Sequence, residues 1–402
     1  MWTGAALKLG YLVPQFPGQT HAFFWREATA IEGWGIPVAF LSTRPTLADE
    51  NPHAFDAEAR TRTHYAFPLS LTAFVFLLIK IFRWHHIFAY VLRLKETGLK
   101  GRIKLLAMML PASQIAQHCK IQGITHIHIH SCADAAHLGA IIKMLSGITY
   151  SLTLHGDLAV YGQDHGPKMR GASLVTVVTR PLKEQVLGVM PDAHVPVVTM
   201  GVDTEWFEPS QNHRANGTFQ LASVTRLNPT KGHKYTLRAI ADLKAEGFAI
   251  EYLIAGEGPY RQEIEAEIAE LGLQSDVKLL GSIGEKDVLE LLQSSDASAL
   301  TSFGLGEAAP VAVMEAMACG LAVVCSRIGG TPDMIDHNVN GILTEQQDVD
   351  SIREALRVLV TDQAKRAKIG SAARAKAVEV FDYRPLARKL VGEIENSLGG
   401  TF

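Results

Sequence analysis

Residues 302–331, SFGLGEAAPVAVMEAMACGLAVVCSRIGGT, constrain the fold of this chain more than any other stretch. The segment opens with a loop, Gly304-Leu305-Gly306, that carries Glu307. Pro310 follows, and a first-turn proline costs a helix nothing because its missing N–H has no partner there. Residues 311–318 are mostly helix formers, and Cys319-Gly320 ends them, glycine being common just past a helix. Residues 321–325 are an apolar run of strand length, closed by Gly329-Gly330. Loop, helix, buried strand, loop is half of an α/β unit. Glu307 lies before the helix and Glu315 two turns inside it. Eight residues at about 100° each bring the direction back to within roughly 80°, so both carboxylates can border one site. Free N–H groups near Pro310, Val311 and Ala312, with the positive end of the helix dipole, favour a phosphate there. Carboxylates accept hydrogen bonds from hydroxyls instead. The combination suits a ligand with hydroxyls on both sides of a diphosphate, such as a nucleotide sugar.

The same alternation runs along the chain. Strand-length runs stand at 8–13, 37–41, 150–154 and 174–179, with another at 195–200, and 124–130 alternates strictly, the mark of a strand. A polar, glycine-bearing stretch at 210–217 reads as a linker. Further runs follow at 219–224, 250–255, 277–282 and 297–300. Loops at the carboxyl ends of parallel strands are where such folds bind ligands. The first, 14–19, contains Gly18. His155-Gly156-Asp157 ends another strand. Arg226 and Lys231 lie in a strand-end loop that runs into a helix; a guanidinium grips phosphate in two places and an ammonium acts as a point charge. Gly256-Glu257-Gly258-Pro259 lacks the third glycine and the acidic ribose partner of a dinucleotide fingerprint. His126, His128 and His130 fall on one strand face, which raises a metal site as one reading because imidazole is a common ligand.

The chain of 402 residues is long enough for two to three domains. With 47% apolar and 20% charged residues, it can build a sizeable core. A net charge of -3 gives no case for nucleic acid. The four cysteines form no C-x2-C pair, which predicts reduced thiols in a cytoplasmic enzyme. The first residues lack a charged region and a long apolar region, so no signal peptide is expected. The apolar run within 66–91 is interrupted by Lys80 and Arg83, too early to span a bilayer. Seven basic residues between Lys80 and Lys104 face a single acid, Glu96. That pattern suits a helical insert, about 66–106, lying on an anionic membrane surface or packed on its own domain.

Glu307 and Glu315 form a Glu-x7-Glu pattern, and EAMACGLAVV with GGTPDMI resembles the core of retaining glycosyltransferase family 4. HIHIHSCADAA resembles the corresponding region of bacterial exopolysaccharide, colanic-acid-type enzymes, and 201–203 resembles a "NGVD" strand end with Met200 in place of asparagine. The resemblance implies a GT-B fold: α/β, with two Rossmann-like domains facing across a cleft. The expected parts are an N-terminal acceptor domain, 1–209, a donor domain, 217–383, and a helix, 384–402, that crosses back after Phe381-Asp382-Tyr383. It implies a hexosyltransferase moving a sugar from a nucleotide sugar to a growing, lipid-linked glycan with retention of configuration. Catalytic roles fall on Glu307, His155, Arg226 and Lys231. Donor binding falls on Glu315, Arg226, Lys231, Gly18, Gly256, Gly281, Pro310, Val311 and Ala312. No metal and no cofactor beyond the donor are implied. The expected location is the cytoplasm, peripheral to the inner face of the membrane. A sugar-nucleotide epimerase, a phosphorylase or a non-catalytic partner of a polysaccharide assembly complex are the alternative readings.

Overall fold

Parallel strands need a crossover of a dozen or more residues, usually a helix, and buried strands read as continuous apolar runs. Both conditions are met twice. A computed structural model describes residues 7–18, 21–46, 53–210, 218–305 and 307–399. Gln19, Gly306 and all but the first residue of the 210–217 linker lie outside the described residues. One sheet holds β1 (Leu9–Leu12), β2 (Val38–Ser42), β3 (Thr63–Tyr65), β4 (His126–Ile129), β5 (Thr149–Leu154) and β6 (Leu174–Val177) in the order β3-β2-β1-β4-β5-β6. The other holds β7 (Phe219–Val224), β8 (Ile250–Ala255), β9 (Val277–Gly281), β10 (Ala297–Leu300), β11 (Ala322–Ser326) and β12 (Ile342–Thr344) in the order β12-β11-β10-β7-β8-β9. The pairings in both sheets are parallel. Each order reverses direction once, between β1 and β4 and between β7 and β10. Such a reversal opens a crevice outside the strand ends, the usual ligand position in doubly wound sheets.

The chain divides into two compact units. One runs to Thr199 and takes the chain back from Arg384; the other is Met200–Tyr383. The division falls upstream of 209 because 202–207 are held within the second unit. Val202 donates to the carbonyl of Phe381 at 2.8 Å and accepts from Tyr383 N–H at 3.1 Å. The Arg374 guanidinium donates to the carbonyls of Thr204, Phe207 and Ala318. The helix Tyr383–Ser397 then joins the first unit, where Ala387, Leu390, Val391 and Ile394 share a core with Leu9, Tyr11, Phe24 and Phe40. The strand expected at 195–200 is reduced to one bridge, Val177 to Val197. Pro196 lacks an N–H, and a ladder beside β6 cannot extend through it.

The insert at 66–106 is three short helices, Leu71–Ile79, Trp84–Leu92 and Leu99–Ala107, with a 3-10 turn at Ile81–Arg83. Ser70 caps the first, its Oγ accepting from Ala73 N–H at 3.1 Å. Ala73, Leu77, Ile87, Val91, Leu94 and Leu105 are buried on its inner side. Ser113 donates to the Ala73 carbonyl at 2.9 Å, and Gln114 accepts from Ser70 N–H at 2.8 Å. Among the described residues, no single helix is long and apolar enough to cross a membrane.

The turn after the second of these helices is organised by Asp164. Its carboxylate accepts from the N–H groups of Lys95, Glu96 and Thr97 and from the Thr97 hydroxyl. Burial would raise this carboxyl, but those hydrogen bonds outweigh it and hold it below its ordinary 3.8. A depressed carboxyl contributes stability above its unfolded value and loses it as pH falls through the folded value. Asp164→Ala is therefore expected to cost about 2–3 kcal/mol in urea unfolding at neutral pH, with the difference from wild type shrinking below about pH 4. A constant difference across that range would contradict the assignment.

Candidate active site

In the second unit, the loops after β7 and β10 meet at the switch point. Phe303 N–H donates to the carbonyl of Thr230 at 2.8 Å, and the Thr301 hydroxyl to that of Gly232 at 3.1 Å. Gly232 has φ +74, and a Cβ there would lie 2.0 Å from the Thr301 oxygen. Gly329 has φ +52, and its Cβ would lie 1.6 Å from the Glu307 oxygen. No other residue fits either place. These two close approaches carry Lys231 and Glu307 towards each other, and Lys231 Nζ is paired with Glu307 Oε2. The Ser302 hydroxyl donates to the same carboxylate oxygen at 2.8 Å. Both charged side chains are largely buried, at 21% and 12% exposure.

Pro310 is the residue just before the helix Val311–Ala318, one place earlier than the first-turn position expected, with φ -68 and ψ 114. The N–H groups of Val313 and Met314 return to the Pro310 carbonyl. Those of Val311 and Ala312 have no partner among the described residues, as at the first turn of any helix. Glu315 is half-buried on that helix. Arg226 is exposed and has no ion-pair partner among the described residues. Gly256 N–H donates to the Gly281 carbonyl at 2.7 Å, so these two ends of β8 and β9 sit side by side. The loops of β7 and β8 are joined too, Leu227 N–H donating to the Glu257 carbonyl at 2.9 Å. The second unit thus gathers, along one sheet edge, an ion pair, a second cation and a free helix start.

The first unit carries His155 and Gly18 at the corresponding edge of its own sheet, and the edge is of a different kind. His155 Nε2 meets His130 Nδ1 at 3.0 Å, and the His155 N–H donates to the Tyr161 hydroxyl at 2.8 Å. Gly18 lies in the loop after β1, its carbonyl accepting from His21 N–H at 2.9 Å. His126 and His128 share the Ser151 hydroxyl at 2.8 and 2.7 Å, and His128 Nε2 meets the Thr153 hydroxyl at 2.9 Å. Burial pushes His126 and His155 down to about 3, and His128 and His130 well below the ordinary value. All four are neutral at physiological pH. Glu27, His128 and His130 place ligand atoms within 4.8 Å of one another. Both nitrogens of His128 are already taken by hydroxyls, however, so a metal would have to displace one of them.

Sequence reasoning missed Ser302, which stands beside Glu307, and Glu27, which faces His130 Nε2 at 3.5 Å. Ser302 was open to view in the same segment. Glu27 had no signal, because a glutamate in an amphipathic helix ordinarily points to solvent. Here it accepts from the Tyr11 hydroxyl at 2.7 Å. The four cysteines are free and buried, and burial pushes Cys319 up to about 12 and Cys325 higher still.

Comparisons with known proteins bear on the fold and on the class of protein. HepE of Anabaena, solved in complex with UDP, superposes with a TM-score of 0.73 at 18% identity, covering 97% of this chain and 100% of that one. The protein has the GT-B type of fold, and its match to a glycosyltransferase family model and to named glycosyltransferases over nearly its whole length makes it a glycosyltransferase. Residues 204–376 match the family of glycosyl transferases group 1, which places that domain in the second unit. The amylovoran biosynthesis glycosyltransferase AmsK of Erwinia amylovora is 27% identical over 96% of this chain and 99% of its own length. WcaL of Escherichia coli (strain K12), named for colanic acid biosynthesis, is 24% identical over 97% of this chain and all of its own.

Burial pushes the Glu27 carboxyl from 4.5 up to about 7, against the opposing hydrogen bond from Tyr11. Between those values the folded chain keeps a proton that the unfolded chain has lost, so stability falls as pH rises through the window and is level above it. Glu27→Gln removes the penalty. It is expected to gain on the order of 3 kcal/mol over wild type at about pH 8 relative to about pH 5, read by urea unfolding. An equal difference at both values would contradict a buried, proton-retaining Glu27.

Proposed function

We propose that this chain is a retaining, metal-independent glycosyltransferase that moves a sugar from a nucleotide sugar to a growing, lipid-linked glycan of the exopolysaccharide kind. The observation that carries the reading is the meeting of Lys231 and Glu307 at the switch point of the second sheet, with Arg226 in the same loop and the free N–H groups of Val311 and Ala312 after the other. The names of AmsK and WcaL support an exopolysaccharide acceptor, and the UDP of HepE supports a nucleoside diphosphate.

The chemistry follows from charge. As the bond between the sugar's anomeric carbon and the diphosphate breaks, negative charge gathers on the departing oxygens. Lys231, Arg226 and the helix start would stabilise it, a positive environment fixed before reaction and therefore effective. On donor binding Lys231 turns from Glu307 to the diphosphate. Glu307 is then released to accept hydrogen bonds from the sugar, and Glu315 accepts from the ribose hydroxyls. Gly256 and Gly281 let the backbone approach the nucleotide. The acceptor hydroxyl attacks the anomeric carbon on the leaving-group side, and its proton passes to the departing diphosphate. His155, neutral at working pH, offers a hydrogen bond and no charge.

The test is a donor screen with EDTA present, reading nucleoside diphosphate release from UDP-, GDP- and ADP-sugars. Lys231→Ala and Glu307→Ala are each expected to lower turnover about a hundredfold or more while circular dichroism is unchanged. Near-normal turnover in both variants, or activity only with added metal, would overturn the proposal.

A further inference from the structure

The outer face of the 66–106 insert is built unlike the rest of the surface. A surface helix of a soluble domain carries an apolar stripe inward and a polar stripe outward. The Leu71–Ile79 helix has no charged residue, and only Ala73 and Leu77 are buried. Leu71, Phe74, Val75 and Leu78, at helical spacing, are exposed on the opposite side. The pattern continues through the turn, where Phe82 is 87% exposed, and into the next helix, where Ile87 and Val91 face in while Phe88 and Leu92 face out. Leu99 and Ile103 extend it on the third helix. Among the described residues, more than half of the exposed large hydrophobic ones lie in this one insert. A continuous exposed apolar face of this kind marks an interaction site.

The charges around it say what covers it. Arg83, Arg93, Lys95 and Lys100 are exposed on the same three helices and their turns, against Glu96 there, and Lys104 beside them is paired with Asp134 of a later domain helix. Lys100 and Lys104 lie one helical turn apart, each next in sequence to an exposed Leu99 or Ile103. A second copy of this chain would bring like charges together across a two-fold contact. Nucleic acid would match the charge but has no use for exposed leucine and isoleucine, which do not stack on bases. An anionic phospholipid surface satisfies both features, taking the apolar side chains between its acyl chains and the basic ones among its headgroups. Each helix, nine residues long, is too short to cross a bilayer by itself, and the first two, which together have the length and composition of a span, are bent by 61° at the break between them. They suit a position in the interfacial plane, anchored inward by Ser113, Gln114 and Asp164.

We propose that the outward face of the helices Leu71–Ile79, Trp84–Leu92 and Leu99–Ala107 docks this chain on an anionic bilayer. The inference stands apart from the transfer reaction, because vesicle binding and donor turnover are read separately and fail separately. The experiment is sedimentation of the full chain with phosphatidylcholine vesicles, with and without phosphatidylglycerol. Wild type is expected to sediment with the phosphatidylglycerol vesicles and to be partly released by salt. Arg83→Gln and Lys100→Gln should each weaken that binding roughly fivefold. The combined variant Leu71→Ser, Ile79→Ser, Phe82→Ser should stay in solution with both vesicle types, with unchanged circular dichroism and unchanged donor turnover on a water-soluble acceptor. Wild type left in solution with phosphatidylglycerol vesicles would overturn the proposal. So would binding indifferent to the apolar substitutions, or a dimer in solution that the combined variant abolishes without any vesicle binding.

Discussion

The ion pair between Lys231 and Glu307 joins two loops that leave the second sheet in opposite directions, and the arrangement of the site depends on it. The sheet order β12-β11-β10-β7-β8-β9 places β7 beside β10, so residues 76 apart in the chain become neighbours. Two backbone contacts then remove the slack. Gly232 lies against the Thr301 carbonyl and Gly329 against that of Glu307, where a methyl group would overlap the oxygen. With the loops fixed at this spacing, a lysine on one and a glutamate on the other meet. The pair keeps the carboxylate neutralised in a largely buried place, where an unpaired charge would be costly. Under the proposed mechanism, an arriving diphosphate exchanges one anionic partner of Lys231 for another, so the cation keeps a partner.

The two sheet edges differ in electrostatic character, and the difference has a physical source. The edge of the second sheet is charged, with Lys231, Glu307 and Arg226 on short loops that reach solvent. The edge of the first is neutral: four histidines lie among hydroxyls and aromatic rings, and burial keeps them unprotonated. Neutral imidazoles hold shape and direct hydrogen bonds without attracting counter-ions. The charged side chains therefore lie in the unit whose sequence matches the glycosyl transferases group 1 family, and the neutral histidines in the other.

Most strands were legible because a strand buried on both faces is largely apolar, as β1, β10 and β11 are, and because β4 alternates strictly. The Arg226–Lys231 loop and the Glu307 helix start were legible because glycine and proline mark turns and caps locally. What escaped depended on contacts distant in the chain. β3, the three residues Thr63–Tyr65, is too short to show a period, and β2 alone makes it a strand. Pro196 cut the ladder expected beside β6. The burial of Glu27 is decided by Tyr11 and His130 on neighbouring strands. For the 66–106 insert the pattern was ambiguous in principle, since a helix apolar on all sides does not reveal which side is covered.

The most direct test of the central claim is calorimetric titration of UDP, GDP and ADP into the purified chain in EDTA, alongside Arg226→Ala and Lys231→Ala. The account predicts that one nucleoside diphosphate binds without metal and that each substitution weakens it by roughly tenfold or more, the worth of one charge-assisted contact. Binding that requires added metal, or that is unchanged in both variants, would contradict the claim that these two loops and the helix start hold the diphosphate.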